Sequence, residues 1–121
     1  MTSKSGIGRA AIFSRPQGST PVSAKILQIS YKLNGPRADY ERENLPYARR
    51  IADMPGLRWK VWIINEAQRE AGGIYLFDND AAVQAFVDGP IIAEMKGDPT
   101  LSIKAFDVIP ELTAITRGPV K

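Results

Sequence analysis

The chain contains no cysteine and no histidine. The first absence excludes a disulfide framework and makes a reducing cytoplasm the expected compartment. The second excludes Ser-His-Asp and Cys-His catalysis and a proximal histidine on a haem iron. Together they remove the usual ligands of zinc, copper and non-haem iron. Carboxylates alone can hold Mg²⁺ or Ca²⁺, but no stretch carries the spaced Asp/Asn/Gly/Glu loop such sites use. No metal site is therefore expected. No apolar run approaches the ~18 residues of a membrane span, and no apolar core follows the first basic residues, so neither a membrane segment nor a secretory signal is expected.

The net charge of +3 is unevenly placed. Residues 1–23 carry Lys4, Arg9 and Arg15 and no acid, whereas residues 24–121 carry 13 basic and 13 acidic residues. The excess sits on the N-terminal stretch, so a basic face for phosphates is not implied and nucleic-acid binding is not expected. That stretch, MTSKSGIGRAAIFSRPQGSTPVS, reads as a flexible extension over 1–23, with Ala10–Phe13 as a short apolar piece able to dock. Residues 24–121 then form one domain, long enough to bury a core without staples.

Period-2 and period-3.6 patterns divide that domain. Lys25–Leu33 alternates Leu27, Ile29, Tyr31 and Leu33 against polar positions, a strand ended by Asn34-Gly35-Pro36. Arg37–Asp53 has helical spacing, with Pro46 predicting either a kink or a helix proper starting near Asn44. Leu57–Glu66 and Gly72–Phe77 are strands joined through Gln68-Arg69-Glu70 as an antiparallel hairpin. Asn79-Asp80 caps a helix that Gly89-Pro90 interrupts and Ile91, Ile92 and Met95 continue. Thr100–Ile109 is a last strand; the tail beyond has no clear class, although Leu112 and Ile115 can pack. The order predicts an α+β, ferredoxin-like βαββαβ sandwich with both helices on one side of the sheet.

The other side of the sheet also needs cover. In the hairpin, Trp59, Val61 and Ile63 alternate with Trp62 and Ile64, and Ile74 and Leu76 with Tyr75 and Phe77. A sheet with one wet face alternates apolar and polar residues instead. A second copy of the chain is the simplest cover, which predicts a homodimer.

Leu27–Pro36 (LQISYKLNGP), Pro55–Trp62 (PGLRWKVW), Ala71–Phe77 (AGGIYLF) and the Lys104–Val108 segment together resemble the YdhR-like monooxygenases, a branch of the dimeric α/β-barrel superfamily. The likeness runs from about Ile26 to Leu112. It implies a homodimeric α/β barrel with a small-molecule pocket between sheet and helices in each subunit. Relatives in the superfamily oxidise aromatic polyketides with O₂ and neither metal nor flavin. Haem-degrading relatives use a histidine, which this chain lacks.

Cofactor-independent oxygenation needs an electron-rich substrate, an apolar pocket, a base and donors for a developing oxyanion. Tyr31, Trp59, Trp62 and Tyr75 are the candidates to wall an aromatic substrate, or else to fill the core or a dimer interface. Trp59 and Trp62 fall on opposite faces of one strand, so at most one faces the pocket. The candidate catalytic residues are Asn34, a donor to a substrate carbonyl or simply a turn former; Lys60, an enolate partner or a snorkelling cation; and Glu70, a base by strand-end position, with Glu66 and Asp107 beside it. Gly72-Gly73 precedes no helix and is no phosphate loop; it reads as close backbone approach in the hairpin. The same pocket can serve a non-redox isomerase or cyclase, or a dimer that binds a small molecule without turnover.

Overall fold

The computed structural model describes residues 23–120. The extension expected over 1–23, with its Ala10–Phe13 piece, lies outside the described residues except for Ser23. Eight elements follow in the order β1 (Lys25–Lys32), α1 (Arg37–Ala52), β2 (Leu57–Asn65), β3 (Glu70–Phe77), α2 (Asp80–Val87), α3 (Pro90–Met95), β4 (Ser102–Asp107) and α4 (Pro110–Ile115). The strands form one antiparallel sheet in the order β2-β3-β1-β4. This is the ferredoxin-like arrangement expected from the sequence.

The core lies between the sheet and the helices. Leu27 and Ile29 from β1 and Tyr75 and Phe77 from β3 are buried against Ile51 of α1, Val83 and Phe86 of α2, and Ile91 and Ile92 of α3. Phe86 is the hub, its ring centroid 5.2 Å from Tyr75 and 5.6 Å from Phe77. Both contacts have the tilted geometry that aromatic quadrupoles favour. The Asn79 side chain caps α2 by accepting the Ala82 N–H at 2.9 Å, and Gly89-Pro90 divides α2 from α3 as read from the sequence.

Helix α1 corrects one of the two alternatives at Pro46, the start near Asn44: it is helical from Arg37, with Pro46 inside it. The segment ahead of the proline is held by Tyr40 N–H on the Pro36 carbonyl and by the Arg37–Glu41 and Arg42–Asp39 ion pairs. The donor that proline lacks would have met the carbonyl of Arg42, and both residues are exposed, where water can take its place. The C-terminal tail is a second correction, because it contains α4. Leu112 and Ile115 do not pack within the subunit; they are 61% and 74% exposed.

One irregularity in β2 decides which side chains face the helices. Leu57 pairs with Phe77, but the next partner of β3, Leu76, is Trp59. Arg58 is the extra residue of this bulge. Beyond it, Lys60, Trp62 and Ile64 take the helix side, opposite Tyr75, Gly73 and Ala71, while Trp59, Val61 and Ile63 take the open side. On that open side Val61, Ile63 and Phe106 are 52%, 39% and 47% exposed. The C-terminal segment covers part of it, with Trp59 Nε1 donating to the Pro119 carbonyl at 2.8 Å and Arg58 bound to Asp78 and the Val120 carbonyl.

Candidate functional site

A cavity of about 390 Å³ opens between the helix side of the sheet and helices α1 and α3. That volume is in the range of small-molecule sites. Strand β1 contributes Tyr31 and, just past its end, Asn34; β2 contributes Lys60 and Trp62; β3 contributes Gly73 and Tyr75. From the helix side, Tyr40, Asn44, Tyr47 and Ile51 form one stripe of α1, and Glu94 of α3 closes the wall with Asp98.

Lys60 is the chemically distinctive member. Its side chain crosses the position where Gly73 has no Cβ; an added Cβ there would stand 2.3 Å from Cε. The amine lies 3.2 Å from the centroid of the Trp62 ring and 4.5 Å from that of Tyr75. Both rings favour the charged form through their negative faces. Burial acts the other way and prevails, lowering the Lys60 pKa to about 7. Among the described residues no carboxylate forms an ion pair with it.

Two carboxylates of the same wall, Glu94 and Asp98, are already engaged. Glu94 accepts the Tyr47 hydroxyl at 2.8 Å and Arg50 at 3.1 Å. Its pKa is held below the ordinary value, by the Arg50 hydrogen bond first and that of Tyr47 second. Asp98 accepts both the backbone N–H and the hydroxyl of Thr100, which hold it low as well.

Tyr31 and Tyr40 form the second feature. Their hydroxyl oxygens are 2.6 Å apart. Burial raises both pKa values, and the hydrogen bond between the two raises that of Tyr31 further. Two hydroxyls carry two protons, and their mutual bond uses one. The other is left to point at an acceptor in the cavity. Burial likewise keeps Tyr75 protonated far into the alkaline range. The cavity thus combines a near-neutral amine, neutral phenols and aromatic walls.

Of the residues expected from sequence, Tyr31, Asn34, Lys60, Trp62 and Tyr75 line this one cavity. Two stand elsewhere. Trp59 is on the opposite face, because the bulge at Arg58 sends Trp62 inward in its place. Glu70 is exposed at the start of β3, where it pairs with Lys32 and Asn65 and lies outside the cavity wall. Of the neighbouring candidate bases, Glu66 lies 3.6 Å from Arg37 and Asp107 pairs with Lys25. Tyr40, Asn44, Tyr47 and Glu94 were missed. The first three recur at i, i+4 and i+7, the spacing of one helix face, with Ile51 continuing it.

The model of the family described as "Putative mono-oxygenase ydhR" matches residues 26–119. The chain belongs to this family. Similar solved structures share its fold. SnoaB, a cofactor-independent oxygenase from Streptomyces nogalater, is 13% identical, with a TM-score of 0.58 over 73% of this chain and 95% of that one. A protein of unknown function from Nitrosomonas europaea is 16% identical, with a TM-score of 0.55 over 74% and 93%. A heme-degrading protein from Mycobacterium tuberculosis is 19% identical, with a TM-score of 0.52 over 72% and 93%. No curated protein matches the chain in sequence. Among the described residues, no helix is long and apolar enough to cross a membrane, and no group of three or more acidic side chains is placed to hold a metal ion.

Proposed function

We propose that this family member is a cofactor-independent monooxygenase that uses O₂ on a small aromatic or polyketide-like substrate. The observation that carries the reading is the unpaired Lys60 amine in an aromatic-walled cavity that also holds the Tyr31–Tyr40 hydroxyl pair. Membership of a mono-oxygenase family supports it, as does a fold shared with a cofactor-independent oxygenase.

In this reading Lys60, in its neutral form, takes the acidic proton of a phenol, enol or activated methylene. The resulting oxyanion lies between the new ammonium and the free hydroxyl of the tyrosine pair, with Asn34 at the rim as a further donor. The substrate carbanion passes an electron to O₂, and the two radicals combine into a peroxide at carbon. Loss of water converts the original CH₂ to C=O. One oxygen atom enters the product and the other leaves as water, so no external reductant is needed. Trp62 and Tyr75 supply flat faces for an aromatic ring.

Oxygen uptake with an anthrone-type methylene substrate tests this directly. The expected result is one O₂ consumed per ketone formed. Product without uptake would instead place the protein with non-redox isomerases or cyclases.

We further infer that a second copy covers the open sheet face. Val61, Ile63 and Phe106 form an exposed apolar surface there, flanked in sequence by the exposed Ile109, Leu112 and Ile115 of the C-terminal region. Such surfaces mark association sites. Sedimentation at micromolar concentration should give a dimer; a stable monomer would overturn this.

A further inference from the structure

We propose that Lys60 is also a covalent carbonyl-binding site, condensing with an aldehyde or ketone in the cavity to form an imine. The inference goes beyond oxygenation and does not depend on it, because imine formation needs no O₂.

Placement carries the argument. The amine is neither paired with a carboxylate nor hydrogen-bonded among the described residues, so its lone pair is not held by a neighbour. It faces a cavity of about 390 Å³, room for a one-ring aldehyde. Trp62 and Tyr75 flank it, so a flat carbonyl compound can approach between aromatic faces. Glu94 and Asp98, two acids of the cavity wall, are bound to Tyr47, Arg50 and Thr100 and do not compete for it. Glu43 is exposed at the cavity's edge. Gly73 fixes the seat, since only a residue without Cβ leaves room for the lysine stem. Burial also favours the uncharged, nucleophilic form of the amine.

The reaction balances without any further reagent. The Lys60 nitrogen attacks the carbonyl carbon, and the C=O π pair moves to oxygen. That oxygen takes a proton from the free hydroxyl of the Tyr31–Tyr40 pair, and the nitrogen returns one of its two protons to that phenolate. The same hydroxyl then gives a second proton to the oxygen, which leaves as water while the nitrogen lone pair forms the C=N bond, and the iminium returns its remaining N–H proton to the phenolate. The sum is amine plus carbonyl giving imine plus water.

The test is reductive trapping of the full chain under anaerobic conditions, with benzaldehyde and limiting cyanoborohydride at pH 7. Adducts are then located by peptide mass spectrometry. The expected result is a first benzyl group on Lys60, formed about tenfold or more faster than on the exposed Lys96 or Lys104, which lie outside the cavity, as the larger neutral fraction of a lysine with lowered pKa requires. The K60R variant should lose this fast adduct and keep the slow ones. The G73A variant, which displaces the lysine stem without removing the amine, should slow it selectively. Adducts spread evenly over the surface lysines, or no adduct on Lys60, would overturn the proposal. Either result leaves the oxygen-uptake test unaffected, so the two readings fail separately.

Discussion

A Cβ on Gly73 would meet Cε of Lys60 at 2.3 Å, whereas a Cβ on its neighbour Gly72 would meet the backbone carbonyl oxygen of Ile29 at 1.9 Å. The two glycines therefore serve different purposes. Gly73→Ala can be absorbed by moving the end of a flexible side chain. It should leave the denaturation midpoint nearly unchanged and lower turnover about tenfold or more by misplacing the amine. Gly72→Ala must push β1 away from β3, and should cost about 1–3 kcal/mol or more in urea unfolding.

The Lys60 amine links stability to pH. Its ordinary value of 10.5 is lowered to about 7 by burial, so between those values the unfolded chain binds more protons than the folded one. Stability from this group therefore rises with pH across that window and is lowest below pH 7. In the same cavity wall Tyr31, Tyr40 and Tyr75 are raised, and Glu94 and Asp98 lowered, away from that window. Lys60→Met should stabilise the protein more at pH 6 than at pH 10, measured by urea midpoints. With neutral Lys60 as the proposed base, wild-type turnover should rise with pH about a midpoint near 7.

The Tyr31–Tyr40 pair offers one free hydroxyl proton to a ligand. Tyr40→Phe or Tyr31→Phe leaves a single hydroxyl, and that hydroxyl can still turn to the ligand. Each single variant should lower kcat modestly, and the double variant should lower it by about 10²–10³, the usual effect of deleting an oxyanion donor. Steady-state kinetics on the three variants checks this excess over additivity.

A charge on the open face should separate the copies. Ile63→Lys alters a residue that is 39% exposed in the subunit, so the subunit's own fold should survive. Sedimentation should show a shift from dimer to monomer, with the far-ultraviolet circular dichroism unchanged.

Phe86 anchors the helix layer to Tyr75 and Phe77 and is almost wholly buried. Phe86→Ala should cost about 3–5 kcal/mol in equilibrium unfolding. Because Tyr75 also walls the cavity, substrate KM should rise in the same variant.

The strands and their faces were legible because alternation and β-branched residues are local signals: Leu27, Ile29 and Tyr31 point as their spacing predicts. The Asn79 cap and the Gly89-Pro90 break were legible for the same reason. Helix α1 was legible in its spacing, but Pro46 left its start open between Arg37 and Asn44, which the ion pairs ahead of the proline decide in favour of Arg37. The stripe Tyr40–Asn44–Tyr47–Ile51 was not legible as a site wall, because Asn44 breaks its apolar pattern and the hydroxyl partner of Tyr40 lies on a different element. Glu70 stands outside this cavity wall because a strand-end position says nothing about which rim of the sheet the cavity occupies.

The extra residue at Arg58 sets the phase of everything after it in the edge strand. Without it, a continuous ladder from Leu57 would bring Trp59 opposite Tyr75 and turn both Lys60 and Trp62 outward. The same side chains would then present an indole and no amine to the interior. A one-residue deletion at Arg58 should thus remove the amine from the chamber while keeping the composition of the strand nearly intact. In this fold the chemistry of the site is written as much in the counting of the backbone as in the identity of its residues.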